Sequence, residues 1–155
     1  MAHEQDLIDV LIADHRLIER LFAEIETSTG NPKRRRESVD VVIAELSRHA
    51  SAEERYLYPV AREYLSAGVE LAEHEIAAHA EADESIRQLT PLDLTDPEFD
   101  GILARLMAGI RHHVQEEETE LFPRLRQACN RETLVELGRR LTAGRRRAPT
   151  TALIG

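Results

Sequence analysis

The stretch HASAEERYLYP at residues 49–59 decides the fold, because its pattern returns 64 residues later as HVQEEETELFP at residues 113–123. Both copies read H-x-x-x-E-E-x-x-L-[Y/F]-P. Residues four apart on an α-helix lie on one face, so each copy predicts a helix that presents a histidine beside a glutamate. The repeat therefore predicts two matching helices that carry the same chemistry.

The repeat extends upstream of both copies, since His15 lies 34 residues before His49 and His79 lies 34 residues before His113. Burying so many polar groups on core-facing helix sides costs several kcal/mol unless partners satisfy them. Imidazole and carboxylate ligands together suit Fe, Mn or Zn. We therefore predict two metal ions, each bound by two histidines and bridged by two glutamates, with the ligands His15, His49, Glu53, His79, His113 and Glu117.

Composition limits the protein class. The 155 residues fit one domain, and a hydrophobic content of 42% with 4% aromatics and no Trp favours packed helices. The net charge of −9 argues against nucleic acid or an anionic membrane as the main partner. The polar N-terminus, the single cysteine (Cys129) and the lack of a long apolar run predict a soluble, cytoplasmic protein.

Apolar residues recur at helical spacing in four long segments, which are residues 5–27, 32 to about 55, 69–89, and 97 onward. Asn31 and Asp96 are expected to cap the second and fourth helices, while Pro59 and Pro123 should end or kink the helices that contain them. The chain is thus predicted to be all-α, an up-down-up-down four-helix bundle with a short C-terminal helix and a basic tail. We expect the bundle domain over residues 1–145 and a flexible tail over 146–155.

The chain resembles the hemerythrin-like (HHE cation-binding) domain family over roughly residues 5–128, through the six residues above and the L-Y-P and L-F-P endings. The resemblance implies a four-helix bundle around a non-haem di-iron centre with an oxo or hydroxo bridge. It implies that His15 and His49 bind one iron and that His79 and His113 bind the other. It also implies that Glu53 and Glu117 are the bridging carboxylates.

The sequence departs from the oxygen-carrying hemerythrins, which have H-x-x-x-H in the third helix and H-x-x-x-x-D in the fourth. Here Glu75 stands one turn before His79, and the fourth helix has H-x-x-x-E. These departures argue against simple reversible O2 carriage and favour iron, nitric oxide or peroxide chemistry. A ferritin-type centre would need Glu-x-x-His, and no glutamate precedes any histidine by three residues.

Several further residues could complete the site. Glu75 could ligate a metal or accept a hydrogen bond from a ligand histidine. Tyr56, seven residues after His49, is expected on the ligand face, where it could line the pocket, donate to a bound oxygen species or ligate. Glu54 and Glu118 should lie off that face as surface charges, and His74 should be a surface histidine unless a π-bulge turns it inward.

The leading hypothesis is a non-haem di-iron protein that binds or turns over a small oxidant (O2, H2O2 or NO), with a catalase-like activity or a stress response as its role. The alternative is an iron-sensing or iron-handling protein that acts through protein partners without catalysis. Its partner would dock through the C-terminal region. A metal-free helical interaction module is a third reading.

Overall fold

The computed structural model describes residues 4–147, which form helices and no strand. Two short π-helical turns, Glu53–Leu57 and Glu117–Leu121, interrupt otherwise α-helical segments. The α-helices are α1 (Leu7–Thr27), α2 (Pro32–Ala52), α3 (Tyr58–Tyr64), α4 (Gly68–Leu89), α5 (Phe99–Glu116), α6 (Phe122–Ala128) and α7 (Arg131–Arg147).

The predicted four-helix bundle is confirmed, because α2 and α3 are joined by the first π turn into one continuous rod, and α5 and α6 by the second. With α1 and α4, these rods make the four long members of the bundle. Helix α1 packs on α2, and α4 packs on α5. The predicted C-terminal helix is α7, which is longer than expected at 17 residues and packs along α1.

Helix ends follow local capping chemistry. Asp6 and Asp9 form a reciprocal capping box at the start of α1. Asn31 caps α2 as predicted, and its side chain accepts from the backbone N–H of Arg34 at 3.2 Å. The fourth predicted helix corresponds to α5 and begins at Phe99 rather than at Pro97. The Asp96 carboxylate does not cap it there, because it accepts from the N–H of Glu98 in a preceding turn.

The sequence predicts that each proline ends or kinks its helix. Neither Pro59 nor Pro123 ends the continuous rod that contains it, so only the kink is left of the two outcomes. Both prolines lie at the start of an α-helix that directly follows a π turn. A proline ring normally clashes with the carbonyl four residues earlier, and the wider π turn displaces that part of the ladder. The backbone N–H of Tyr58 consequently donates to Glu53 five residues back, and that of Phe122 to Glu117.

The core consists of two apolar clusters with a polar layer between them. The first contains Leu11, Leu57 and Leu121 beside the C-terminal helix, and the second contains Ile18 and Ile110 toward the far end of the bundle. The six predicted ligands occupy the layer between these clusters. The layer is buried, with every ligand side chain at most 7% exposed.

Helix α7 closes one end of the bundle. It buries Leu134, Val135 and Leu141, and continues to Arg147, two residues beyond the predicted domain boundary. Residues 148–155 of the predicted tail lie outside the described residues. Within residues 4–147, no helix combines the length and the apolar character that a membrane span requires.

Gly138 sets how closely α7 approaches the start of α1. A Cβ atom at Gly138 would lie 2.8 Å from the backbone oxygen of Gln5 and 2.9 Å from the carbonyl carbon of Asp6. We expect Gly138→Ala to lower the free energy of unfolding by about 1–3 kcal/mol, because the backbones must separate. Urea unfolding followed by circular dichroism measures this change.

Gly144→Ala is the matched control in the same helix. Its new Cβ would meet only the Tyr56 hydroxyl, at an ordinary 3.6 Å. The better helix propensity of alanine should then stabilise the protein by up to about 1 kcal/mol. Equal stabilisation by both substitutions would contradict the tight α1–α7 contact.

Candidate metal centre

Four helices direct one histidine each into the polar layer, and the imidazoles form two pairs. The Nε2 atoms of His15 on α1 and His49 on α2 lie 3.1 Å apart. Those of His79 on α4 and His113 on α5 lie 3.3 Å apart. The rings within each pair meet edge to face, with centroids 4.8 and 4.9 Å apart. Each pair thus presents two nitrogen atoms to one point.

Two fully buried carboxylates, the first residues of the π turns, join the pairs. Glu53 places Oε2 3.2 Å from Nε2 of His49 and Oε1 2.9 Å from Nε2 of His79. Glu117 places Oε1 3.2 Å from Nε2 of His15 and Oε2 3.5 Å from Nε2 of His113. Each carboxylate therefore gives one oxygen to each histidine pair, which is the geometry of a bridge.

The donor set fits cations better than it fits hydrogen bonds. Among residues 4–147, Glu53 Oε2 and Glu117 Oε1 are buried atoms without a hydrogen bond. Such orphaned acceptors are costly in an apolar core. Imidazole nitrogens that face each other with carboxylate oxygens between them are satisfied together by metal ions. The residues present therefore fit a pair of metal ions.

Outside the two bridging glutamates, a ring of four further carboxylates orients the imidazoles. Contacts of this kind at Nδ1 turn Nε2 toward a metal and make it a better ligand. All four Nδ1 atoms have one: Glu118 at 2.7 Å from His15, Asp14 at 2.8 Å from His49, Glu54 at 3.3 Å from His79, and Glu75 in contact with His113.

This ring corrects part of the sequence prediction. Glu54 lies at the surface as expected, with its side chain 52% exposed, whereas Glu118 is only 22% exposed. Both also contact ligand histidines, because the flank of their rod faces a neighbouring helix and not only solvent. Glu75 contacts Nδ1 of His113, and the choice between its two predicted roles stays a prediction. His74 lies at the surface, as expected for a regular α4. Sequence reasoning missed Asp14, because its partner is on another helix.

Tyr58 is the tyrosine of the site, and sequence reasoning missed it as well. Its hydroxyl lies 3.2 Å from Glu53 Oε1, 3.3 Å from Glu117 Oε2 and 3.1 Å from His79 Nε2. The signal was present in the L-Y-P ending of the repeat. In a π turn, the residue five positions on lies over the first, so Tyr58 stacks over Glu53.

The expectation that Tyr56 lines the pocket is wrong. Its hydroxyl donates to the backbone oxygen of Arg140 on α7, at 3.4 Å. The prediction assumed a regular α-helix through residue 56. The π turn that starts at Glu53 instead rotates Tyr56 away from the ligand face and brings Tyr58 onto it.

The histidines of the metal-free site differ in pKa. Burial, followed by the charge of the neighbouring His49, lowers the pKa of His15 to about 4. Burial alone would also lower the pKa of His49, but Glu53 and Asp14 outweigh it and raise the value to about 9. His113 likewise reaches a pKa of about 9, because Glu53 and Glu75 outweigh its burial.

The two bridging carboxylates titrate in opposite directions. Burial opposes ionisation of Glu53, yet His49 and other hydrogen-bonding neighbours hold its pKa well below the usual range. Burial and the charge of Glu53 raise the pKa of Glu117 well above it. The pKa of Asp14 falls to about 2 despite burial, because His49 and Arg145 favour its ionised form.

A small cavity adjoins the histidines on the side of the second apolar cluster. Its volume is about 20 Å³, and apolar side chains such as Ile18, Leu46 and Ile110 form much of its wall, with His49, His79 and His113. A water molecule needs about 10–15 Å³ on the same measure. The cavity therefore has room for one small molecule.

Comparison with known proteins identifies the family. Residues 6–125 match the model of the Hemerythrin HHE cation binding domain. The chain belongs to this family. The resemblance seen in the sequence is thus confirmed, and this HHE domain carries the His/Glu cluster expected of a domain that binds metal cations.

Individual relatives are distant. A DNA nickase of Nostoc sp. (strain PCC 7120) is 28% identical over 83% of this chain, which spans only 36% of that protein. An uncharacterized hemerythrin-like protein of Schizosaccharomyces pombe is 24% identical over 92% of this chain and 70% of its own length. The fold is similar, with a TM-score of 0.80, to the crystal structure of an HHE cation-binding domain-containing protein, the Rv2633c homolog from Mycobacterium kansasii.

That solved structure is 23% identical and covers 92% of this chain and 86% of its own. At this identity the likeness supports the fold alone. The assignment of individual ligands in this HHE domain therefore rests on its own geometry.

We expect His113→Ala to weaken metal binding by at least about 100-fold, because a ligand matters more than its orienting partners, whose loss typically costs 10–100-fold. His112→Ala is the matched control, since the adjacent His112 is 74% exposed and its Nε2 contacts Glu116, which is not one of the six ligands. Metal content after dialysis against limiting chelator measures both. Equal metal content in the two variants would rule out His113 as a ligand.

Metal affinity should rise with pH up to about 9. In the metal-free chain His49 and His113 keep their protons up to a pKa of about 9, and a metal binds only the neutral imidazoles. Below that pH, binding releases these protons, so affinity changes by up to about tenfold per pH unit for each proton released. Calorimetric Zn²⁺ titrations in buffers of different ionisation enthalpy give the number of protons released. Metal binding without proton release at pH 7 would contradict the pKa values of about 9 for His49 and His113.

Proposed function

We propose that this HHE domain is a non-haem di-iron protein that binds small oxidants and disproportionates hydrogen peroxide. One observation carries the proposal. Glu53 and Glu117 each direct one carboxylate oxygen to the first histidine pair and the other to the second pair. Carboxylates shared in this way suit two metal ions held side by side.

Coordination number favours iron over zinc. Two imidazoles and two carboxylate oxygens give each ion four protein donors. Four donors complete a tetrahedral structural zinc site, whereas an octahedral ion keeps positions free for solvent and a small ligand. A redox-active ion with free positions is what oxidant chemistry requires. Iron is therefore the metal proposed for both positions.

The cavity beside the histidines supports a small substrate. Its volume of about 20 Å³ suits dioxygen, nitric oxide or hydrogen peroxide and excludes organic substrates. The apolar wall from Ile18, Leu46 and Ile110 limits the amount of water beside the site. Exclusion of water strengthens electrostatic interactions with whatever binds there.

In peroxide disproportionation one molecule of hydrogen peroxide is oxidised to O2 while another is reduced to two molecules of water, and bound iron supplies the exchange of two electrons. Tyr58 holds a proton at its hydroxyl in the half formed by His79 and His113. Burial and then the charge of Glu53 raise its pKa, so the hydroxyl stays protonated in the metal-free chain. It is positioned to donate to an oxygen atom that lies between the bridging carboxylates.

Iron sensing without catalysis is a second candidate, and one contact favours it. Asp14 joins His49 at 2.8 Å to Arg145 of α7, which binds both oxygens of that carboxylate at 2.7 and 2.9 Å. The metal ligand set is thereby connected to the C-terminal helix. Iron loading would alter how α7 is held and what docks on it.

The di-iron form should evolve O2 from hydrogen peroxide well above the rate of equimolar free iron. Loss of one histidine from either pair should abolish this O2 evolution. The rate of the His113→Ala variant is therefore expected to fall to that of free iron, while the His112→Ala variant keeps the rate of the unaltered chain. Tyr58→Phe retains the ring but not the proton, and should keep its iron while turnover falls about 100-fold, in the range typical of general acid catalysis. A Clark-type electrode follows the O2.

Two results would reject the proposal. Fewer than two irons per chain, in protein reconstituted anaerobically with Fe²⁺, would exclude the di-iron centre. Two irons with turnover no faster than free iron would exclude catalysis and leave iron sensing, which predicts iron-dependent protection of α7 from hydrogen exchange.

A further inference from the structure

A second group of side chains with the donor atoms of a metal site, His74, Glu75 and Glu116, lies between α4 and α5. His74 places Nε2 3.0 Å from Glu116 Oε2, and His112 places Nε2 2.9 Å from Glu116 Oε1. These side chains line a groove of about 730 Å³. The His74 imidazole is 61% exposed, so a hydrated cation in solvent can reach it.

Glu75 connects this surface group to the buried centre. Ligand atoms of His74, Glu75 and Glu116 all lie within 4.8 Å of one another, and so do ligand atoms of Glu75, His113 and Glu117. Glu75 therefore belongs to both groups, although it is only 4% exposed. Candidate metal-binding atoms therefore lie close to one another all the way from the exposed groove to the buried centre.

The other half of the repeat has no such connection. The residues 64 positions before His74, Glu75 and Glu116 are Val10, Leu11 and Ala52, all buried and apolar. In one half of the repeat, these positions hold a histidine and two glutamates. In the other half, the same positions hold apolar residues that pack in the core. Packing of the bundle does not require polar residues at these positions.

We propose that His74, Glu75 and Glu116 form a loading port, through which a divalent cation passes from solvent to the centre. The inference rests on the proposed metal centre and adds its route of entry. The port binds the cation with one imidazole and two carboxylates, which suit Fe²⁺ and its analogues. Exposure keeps this binding weak, so the cation moves on through Glu75 to the position beside His113.

The experiment measures how fast metal-free protein takes up Co²⁺ under anaerobic conditions, with the cobalt absorption bands followed by stopped flow. The double variant His74→Ala, Glu116→Gln should load at least tenfold more slowly than the unaltered chain. Its final content should remain two ions per chain, because both residues lie outside the six ligands. The far-ultraviolet circular dichroism spectrum checks that the helices are intact.

Glu81→Gln is the control, since it removes a charge from the same groove without altering the port. It should load at the unaltered rate; equal slowing would show that only charge attraction matters and would overturn the port. Equal rates in the double variant and the unaltered chain would overturn it as well, as would a double variant that no longer binds two ions.

One further measurement separates the port from the proposed function. An unaltered chain that fails to hold two metal ions rejects the di-metal centre. A chain that holds two ions, and whose loading rate ignores His74 and Glu116, rejects only the port. Zn²⁺ added to the fully loaded chain should occupy a third, weaker site that the double variant lacks, and its absence from the unaltered chain would also count against the port.

Discussion

The burial of four imidazoles and two carboxylates between two apolar clusters is the constraint on which the rest of the bundle depends. Charged groups in such a layer destabilise the fold unless opposite charges or metal ions satisfy them. Every ligand histidine accordingly has a carboxylate at Nδ1, and Asp14 has Arg145 in turn. The layer therefore determines which residues surround it, as far out as the C-terminal helix.

The two π turns allow continuous helices to carry this polar layer through the bundle. They start at the bridging carboxylates Glu53 and Glu117 and are followed by Pro59 and Pro123. The wider turn accommodates the proline without ending the rod and brings the residue five positions on over the carboxylate. In one copy that residue is Tyr58, which adds a hydroxyl to the site; in the other it is Phe122, which stacks on His15.

The duplicated framework thus carries an asymmetric site. The half of His79 and His113 has a phenol, a buried Glu75 and polar neighbours that extend to the surface. The half of His15 has an aromatic ring and apolar residues at the matching positions. In the proposed di-iron centre, the two metal positions would therefore have unequal surroundings, which suits one position that reacts and one that supports it. The repeat provides the six candidate ligands, and departures from the repeat make their surroundings differ.

The all-α bundle, the six converging side chains and the family could be predicted from the sequence, because helical periodicity and a register kept across two copies are properties of the chain alone. The sequence predicts Tyr56 at the site because a regular helix places it there, and the folded structure was needed to find Tyr58, since a π turn changes the rotation per residue. The tertiary structure also decided the roles of Asp14, Glu54 and Glu118, because their partners lie on other helices, and helix-to-helix contacts are not encoded in the periodicity of one helix.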